Sequence, residues 1–215
     1  MTSPPPSVAA AKAAVAERVS RETQQKFERY ADLLQKWQSS INLVGRKTVP
    51  HLWSRHILDS LQLVSNAPER VAHWVDLGSG AGFPGLISAA AWLERQPETA
   101  FTLIEADQRK CVFLSEASRL LGVRVNIVRR RIEDVDSLGG DVVSARALAP
   151  LDLLCEYAET HLAPGGICLF LKGKSLQKEA GEADKTWKMQ RELIASQSDP
   201  DGVILRVKGL ERVRT

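Results

Sequence analysis

The strongest structural signal in the chain is the glycine-rich stretch Asp76-Leu77-Gly78-Ser79-Gly80-Ala81-Gly82-Phe83-Pro84-Gly85. It follows an apolar run, residues 73–76, that is typical of a short buried strand, and it precedes a segment of helical composition, residues 84–94. A doubly wound sheet binds nucleotide-like ligands at such a turn, because backbone without a Cβ can approach the ligand closely. The alternative is a purely structural turn.

Short apolar runs alternate with helical segments through most of the chain. The predicted strands are 73–76, 101–104, 123–128, 141–143 and 167–171, and the predicted helices between them are 84–94, 108–121 and 150–161. This alternation predicts an α/β fold with a doubly wound, mostly parallel, Rossmann-like sheet. Residues 192–197 and 203–207 flank the turn sequence Asp199-Pro200-Asp201-Gly202, which predicts a C-terminal antiparallel hairpin.

The N-terminal third has a different pattern. Apolar residues recur at helical spacing over about 22–39 and again over 52–64, which predicts two helices. We therefore divide the chain into three parts: a flexible tail (1–20), an N-terminal helical segment packed on the core (21–70) and a Rossmann-like core (71–215).

The composition excludes several classes of protein. With 44% hydrophobic and 26% charged residues, the 215-residue chain is neither disordered nor disulfide-rich. Its three cysteines show no C-x-x-C pair and no zinc-ligand spacing, so we expect reduced thiols, no metal site and a cytoplasmic location. We expect no membrane association, since no stretch approaches the ~20 apolar residues that a span requires. A net charge of +3 is too small to identify a nucleic-acid binder.

The glycine spacing discriminates between ligands. A dinucleotide fingerprint needs glycine where Phe83 stands, and a P-loop needs a lysine after Gly82, so neither a dehydrogenase nor an ATP or GTP cradle fits. Glu105 follows the predicted strand 101–104, where a carboxylate can accept hydrogen bonds from both hydroxyls of a ribose. The alternative for Glu105 is a solvent-exposed acid at a strand end.

The glycine loop and Glu105 together resemble the S-adenosylmethionine site of class I methyltransferases. In that family the loop lies under the amino-acid part of the cofactor, and an acid near the end of the third strand accompanies the adenine. Ile132-Glu133-Asp134 occupies that place here, although the two acids alone are also compatible with a helix start. The resemblance predicts S-adenosyl-L-methionine as cofactor and S-adenosyl-L-homocysteine as product.

Further segments resemble the RsmG (GidB) family over about residues 25–210. They are Ile41-Asn42-Leu43-Val44, Leu52 to Ser60, Val75 to Gly85, Arg109-Lys110 with Phe113-Leu114, Arg131-Ile132-Glu133, Ser144-Ala145-Arg146-Ala147 and Leu171-Lys172-Gly173. The resemblance implies a cytoplasmic bacterial enzyme that methylates N7 of one guanine in the decoding-region loop of 16S ribosomal RNA. We expect its substrate to be the small ribosomal subunit or its assembly precursor, and the enzyme to be a monomer.

The same resemblance implies roles for single residues. Gly78 and Phe83 contact the cofactor, Ile132 and Glu133 flank its adenine largely through backbone groups, and Arg146 lies beside the reacting end. The other predicted cofactor-binding residues are Asp76, Gly80 and Glu105.

The predicted chemistry needs positioning rather than a general base, because guanine N7 carries a lone pair and no proton at neutral pH. An arginine or lysine that donates to guanine O6 orients the base and leaves N7 to attack the methyl group in line. Arg146, at a predicted strand end, is the catalytic candidate for this role.

Six residues are predicted to bind RNA: Asn42, Arg46, Lys47, Arg55, His56 and Lys172. Arg55 and His56 either contact phosphate or the extruded guanine, or they are a solvated helix charge and a core histidine. Asn42 is either a loop amide of the family motif or a turn residue. Basic clusters at 46–47, 129–131 and 172–178 favour one phosphate-binding rim over scattered solvated charges.

Two other classes of function stay open at this point. One is a class I methyltransferase acting on another RNA, a protein or a small molecule, against which the Arg55-His56 motif argues. The other is a binding module without turnover, because binding residues and catalytic competence are different properties.

Overall fold

Seven strands form one sheet in the computed structural model, which describes residues 6–213. The strands are β1 (His73–Leu77), β2 (Ala100–Ile104), β3 (Asn126–Val128), β4 (Gly140–Arg146), β5 (Leu162–Lys172), β6 (Trp187–Ala195) and β7 (Val203–Arg212). Their order is β3-β2-β1-β4-β5-β7-β6. β1 to β5 are parallel, and β7 runs antiparallel to β5 and β6. The predicted mostly parallel sheet with a C-terminal antiparallel hairpin is confirmed.

Helices cover both faces of the sheet. They are α1 (Val8–Ala16), α2 (Arg21–Gln38), α3 (Asp59–Asn66), α4 (Gly85–Trp92), α5 (Gln108–Leu121), α6 (Leu151–His161) and α7 (Leu176–Ala183). Residues of α1 to α5 pack in one hydrophobic core, and residues of α6 and α7 pack in a second core on the opposite face. None of the helices in residues 6–213 is long and apolar enough to cross a membrane.

The central strand β1 shows why these short runs are apolar throughout. Side chains alternate between the two faces of a strand, and both faces of this sheet are covered. Trp74 lies in the first core, with its ring centroid 5.7 Å from Trp92 and 5.5 Å from Phe101. Val75 and Leu77 lie in the second core, fully buried. Successive residues of β1 therefore pack against different helical layers.

Helix α1 lies within the segment 1–20 that we expected to be a flexible tail. The Ser7 side chain caps its first turn, and Ala11 and Val15 are fully buried in the first core. The sequence concealed this packing because alanine has too little apolar surface to mark a helical stripe. Residues 1–5 lie outside the described residues, and the division of the chain into 1–20, 21–70 and 71–215 stays a prediction.

Helix α2 joins the N-terminal segment to the glycine loop. Phe27, Tyr30 and Leu34 are fully buried, as the helical spacing predicted. The Tyr30 hydroxyl donates a hydrogen bond to the carbonyl of Ala81, and its ring packs edge-on against Phe83 at 5.6 Å between centroids. The N-terminal helices therefore support the loop on which the predicted site depends.

Two further elements differ from the sequence expectation. The helix predicted over 52–64 is a π-helix, Trp53–Leu58, that continues into α3, and a 3-10 helix, Arg46–His51, precedes it. Helix α7 was not predicted, because the lysines of 172–178 were interpreted as part of a phosphate-binding rim. The π-helix matters for the site, because its wider turn sets the directions of Arg55 and His56.

Candidate active site

The glycine loop leaves β1 after Leu77 and reaches α4 at Gly85. Gly78, Gly80 and Gly82 have φ angles of +61°, +57° and +89°, in the left-handed region that favours glycine. A Cβ added to Gly78 would lie 2.5 Å from the Cδ1 atom of Leu148. Gly78 is therefore required both by its backbone conformation and by the close approach of the loop that follows β4.

Asp76 lies beneath this loop and has no exposed surface. Its Oδ2 atom accepts a hydrogen bond from Ser79 Oγ at 2.6 Å, and its Oδ1 atom accepts one from Ser144 Oγ at 2.6 Å. Burial raises the pKa of Asp76 to about 6. The carboxylate thus ties the glycine loop to β4, and it lies beneath the loop rather than among the residues that line the adjacent cavity.

A first cavity of about 360 Å³ opens at the carboxyl ends of the central strands. It brings together four of the predicted cofactor residues, Gly78, Glu105, Ile132 and Glu133. Other lining residues include Ile104, Leu148 and Tyr157 and the basic Lys110, Arg130 and Arg131. Ile132 and Glu133 belong to a 3-10 helix, Ile132–Asp134.

Glu105 braces the glycine loop from the end of β2. One carboxylate oxygen accepts from the Gly80 amide at 2.8 Å, and the other accepts from the Asp107 amide at 2.8 Å. Only 8% of the residue is exposed, so it is not the solvent-exposed acid of the alternative interpretation. A carboxylate has about four lone-pair positions, and two remain for a ligand in the cavity.

A second cavity of about 420 Å³ adjoins the first. Both cavities are lined by Ala147, Leu148 and Ala149, which follow β4 and form a common wall. Ala147 has φ +48°, a rare conformation for a residue with a side chain, at the point where this wall leaves the strand. The shared residues place the two cavities side by side at the carboxyl ends of the strands, as transfer of a group from one bound ligand to another requires.

Arg146 lines the second cavity rather than the first. Its Nη1 atom lies 3.6 Å from Oδ2 of Asp59, and among the described residues this buried nitrogen has no hydrogen-bond partner. Oδ1 of Asp59 is held separately by the hydroxyls of Ser198 at 2.6 Å and Ser196 at 3.0 Å. Arg146 therefore holds a largely buried positive charge at the cavity, with the Asp59 carboxylate as its counter-charge.

The π-helix directs Arg55 and His56 to different environments. Arg55 lines the second cavity and pairs with Asp199 at 2.6 Å. His56 is only 6% exposed, with its Nε2 atom 2.8 Å from Thr48 Oγ1 and its ring centroid 4.9 Å from that of Phe83. The structure thus supports the core-histidine alternative for His56. Phe83 lies in the first hydrophobic core, in contact with His56, and is not among the residues that line the first cavity.

Burial makes His56 an acid-sensitive element of the fold, since it lowers the pKa of the imidazole to about 2. The unfolded chain binds a proton near pH 6.5 that the folded chain does not, so stability falls as the pH falls below 6.5. When the pH is lowered from 7.5 to 5.5, we expect His56 to reduce the free energy of unfolding by about 1.4 kcal/mol. Urea unfolding of wild type and His56→Gln at both pH values measures the difference.

The expected result is a flatter pH dependence in His56→Gln by that amount. The raised pKa of Asp76 has the opposite sign, because the folded chain then holds the extra proton and gains stability as the pH falls below about 6. Asp76 is present in both proteins, so its contribution cancels in the comparison. Parallel curves for the two proteins would contradict a neutral buried His56.

The remaining predicted RNA-binding residues divide between the second cavity and the connection that precedes the π-helix. Lys172 lines the second cavity, where its Nζ atom is 2.5 Å from Oε2 of Glu179 and donates to the carbonyl of Ala149 at 3.1 Å. Asn42, Arg46 and Lys47 are exposed in the connection between α2 and the π-helix.

Sequence reasoning missed the three carboxylates of the second cavity, Asp59, Glu179 and Asp199. Asp59 stands inside a segment that carries the family resemblance, but no spacing connects it with Arg146. Only Glu179 could have been found from the sequence, because it is an acidic residue that follows Lys172 closely enough to pair with it. In the described part of the chain, no cluster of three or more His, Cys, Asp or Glu side chains is arranged to hold a metal ion.

The sheet order and the glycine loop after β1 define the class I methyltransferase fold. Solved structures with this fold include a SAM-dependent methyltransferase from Aquifex aeolicus, with TM-score 0.56, 12% identity and coverage of 75% of this chain and 93% of that one. Another is M. jannaschii TYW2 in complex with AdoMet, with TM-score 0.55, 17% identity and coverage of 75% and 78%.

Sequence comparison identifies the family. The family model described as rRNA small subunit methyltransferase G matches residues 23–199. The relative of that name from Ruegeria sp. (strain TM1040) is 48% identical over 195 residues, covering 91% of this chain and 95% of the relative. The relative from Paramagnetospirillum magneticum is 49% identical over 196 residues, covering 91% and 93%. The chain belongs to the rRNA small subunit methyltransferase G family, which confirms the resemblance seen in the sequence.

Proposed function

We propose that this methyltransferase transfers the methyl group of S-adenosyl-L-methionine to N7 of one guanine in the decoding-region loop of 16S ribosomal RNA, releasing S-adenosyl-L-homocysteine. The observation that carries the proposal is the pair of adjoining cavities, which share the lining residues Ala147 to Ala149. One cavity has the features of a cofactor site, and the other presents an arginine donor to a second ligand.

The residues of the first cavity fit the proposed cofactor. A Cβ at Gly78 would intrude on the loop that forms the common wall, so the glycine keeps this part of the cavity open. Glu105 offers carboxylate lone pairs for ribose hydroxyls, and Ile104 and Tyr157 provide apolar surface for an adenine ring. The cofactor supplies an electrophilic methyl group on a positively charged sulfur.

The chain's own residues then have to align the guanine. N7 needs no proton removed, so a general base is unnecessary, and the rate depends on the distance and angle between N7 and the methyl carbon. The guanidinium of Arg146, which lines the second cavity, is an N–H donor suited to guanine O6, which lies on the same edge of the base as N7.

The RNA backbone is proposed to bind the exposed basic residues around these cavities. Arg129, Arg130 and Arg131 follow β3 in an exposed run, and Arg46 and Lys47 are exposed on the N-terminal side. Phosphates bind such side chains with release of counterions, so affinity should decrease as salt increases. We propose the small ribosomal subunit or its assembly precursor as the substrate, and a monomeric cytoplasmic enzyme.

Methyl transfer from isotopically labelled S-adenosylmethionine to small subunits that lack their native decoding-loop methylation tests the proposed function. We expect one equivalent of label, recovered after nuclease digestion as 7-methylguanosine from that loop by mass spectrometry. Subunits that already carry the methyl group are the control and should take up none. Cofactor binding without label on RNA would contradict the substrate assignment, and label on another base would contradict the site.

A further inference from the structure

The second cavity has an unusual balance of charge. Its lining includes three cations and three carboxylates, and each cation is paired with one of the carboxylates: Arg55 with Asp199 at 2.6 Å, Arg146 with Asp59 at 3.6 Å and Lys172 with Glu179 at 2.5 Å. The formal charge of the lining is therefore zero. A cavity that selects phosphate would be expected to leave some of its cations without acidic partners.

Two of these pairs are largely buried. Side-chain exposure is 16% for Arg146 and 13% for Asp59, and 8% for Lys172 and 17% for Glu179. The Arg55–Asp199 pair is more open, at 34% and 18%. Electrostatic interactions are stronger near the two buried pairs than in water, so a phosphate entering the cavity would be repelled by carboxylates as strongly as it is attracted by the cations. An uncharged ligand with both donors and acceptors matches such a lining better.

We propose that the second cavity binds the uncharged guanine base and not a phosphate, with the Asp199 carboxylate accepting hydrogen bonds from the N1–H and N2–H groups of that base. This rests on the proposed function, and it adds a specificity-determining residue. Guanine presents acceptors at N7 and O6, and its N1–H and N2–H donors lie on the side of the ring away from N7. N–H donors that line the cavity would therefore bind the N7 and O6 edge, and the Asp199 carboxylate would bind the N1–H and N2–H edge.

Asp199 is the carboxylate placed for this contact because the other two are tied to the wall shared with the first cavity. Asp59 faces Arg146, which immediately precedes that wall, and Glu179 accepts from the amide of Leu151, just after it, at 3.0 Å. N7 has to face the first cavity to reach the methyl group, so N1–H and N2–H point away from the first cavity. Asp199 lies on the loop between β6 and β7 and contacts Arg55 of the π-helix.

The loop that carries Asp199 is fixed to α3. The Ser196 and Ser198 hydroxyls donate to Asp59. The backbone N–H of Gln197 donates to Oε1 of the Gln62 side chain at 2.8 Å. Asp199 itself accepts from the Asp201 amide at 3.1 Å. A carboxylate held in this way before the ligand arrives costs little ordering entropy on binding, which favours selectivity.

The test compares Asp199→Asn with Asp201→Asn on small subunits reassembled from RNA that carries either guanine or inosine at the target position. Inosine keeps N7, O6 and N1–H but lacks the N2 amino group. Asp201 is a matched control, because it lies in the same loop and pairs with Lys174 at 3.0 Å but does not line the cavity. Thermal unfolding confirms that each variant is folded.

We expect wild type and Asp201→Asn to prefer guanine over inosine by about tenfold or more in kcat/KM, as one lost hydrogen bond to a charged group predicts. In Asp199→Asn, kcat/KM for guanine should fall about 10- to 100-fold, and the preference for guanine over inosine should decrease, because the amide is uncharged and keeps only one acceptor oxygen. The affinity for S-adenosylmethionine and the salt dependence of RNA binding should not change.

Two outcomes would overturn the inference while leaving the proposed function intact. One is an unchanged preference for guanine over inosine in Asp199→Asn. The other is tighter RNA binding with a steeper salt dependence in that variant. That result would mean that the cavity binds a phosphate, which the Asp199 carboxylate repels in the wild type. Failure of wild type to methylate guanine-containing subunits would instead refute the proposed function itself.

Discussion

Replacement of Arg146 by alanine is expected to lower kcat for methyl transfer by about 100-fold or more while leaving cofactor affinity within about twofold. The side chain lines the second cavity and not the first, so its loss would remove the proposed donor to guanine O6 and leave the lining of the first cavity unchanged. Single-turnover methylation of small subunits, together with calorimetric titration of S-adenosylmethionine, separates the two effects.

Two companion variants distinguish orientation of the base from simple loss of structure. Removing one partner of a buried pair destabilises a protein by about 3–5 kcal/mol, so Arg146→Ala has to be tested for folding. Arg146→Lys keeps the charge beside Asp59 but loses the planar fork, and we expect it to stay folded and remain slow. Full turnover in either folded variant would remove Arg146 from the proposed role.

Asp59→Asn tests the counter-charge in the same cavity. Its Oδ1 atom is already held by two serine hydroxyls, and an amide can keep those contacts while the charge facing Arg146 is lost. We expect a decrease in kcat of about tenfold with little change in KM, because the guanidinium then samples more orientations. A decrease in thermal stability with unchanged kcat would assign Asp59 a structural role only.

The sequence predicted those parts of the site that depend on local patterns. The strand, the glycine loop and the helix after it follow from residue spacing along one segment, and Glu105 follows from its place at a strand end. Arg146 was found for the same reason. Each of these residues occupies a position that the doubly wound topology alone brings to the carboxyl edge of the sheet.

The parts that could not be predicted depend on contacts between distant segments. Asp59 and Arg146 are paired because α3 packs beside the end of β4, and no spacing in the chain reveals that contact. Phe83 has the sequence context of a ligand contact, but it is needed in the core against Tyr30 and His56. The lysines of 172–178 indicated part of a phosphate-binding rim, yet Lys172 is buried against Glu179 of the unpredicted helix α7.

Gly78→Ala is expected to weaken binding of S-adenosylmethionine by at least about tenfold. Two costs add at this position. A residue with a Cβ loses about 1–2 kcal/mol in the left-handed conformation at φ +61°. The new Cβ would also lie 2.5 Å from Leu148 Cδ1, so Leu148 has to move within the wall that both cavities share. Titration calorimetry with the cofactor measures the effect.

Gly80→Ala is the matched comparison for the conformational cost. Gly80 has a similar φ of +57°, but the nearest heavy atom to an added Cβ is the Gly78 carbonyl oxygen at 3.8 Å, which is ordinary contact. We therefore expect Gly80→Ala to lose less cofactor affinity than Gly78→Ala, and Leu148→Ala to restore part of the loss in a double variant. Equal losses of cofactor affinity in the two glycine variants, without rescue by Leu148→Ala, would show that the loss comes from backbone strain and not from the contact with Leu148.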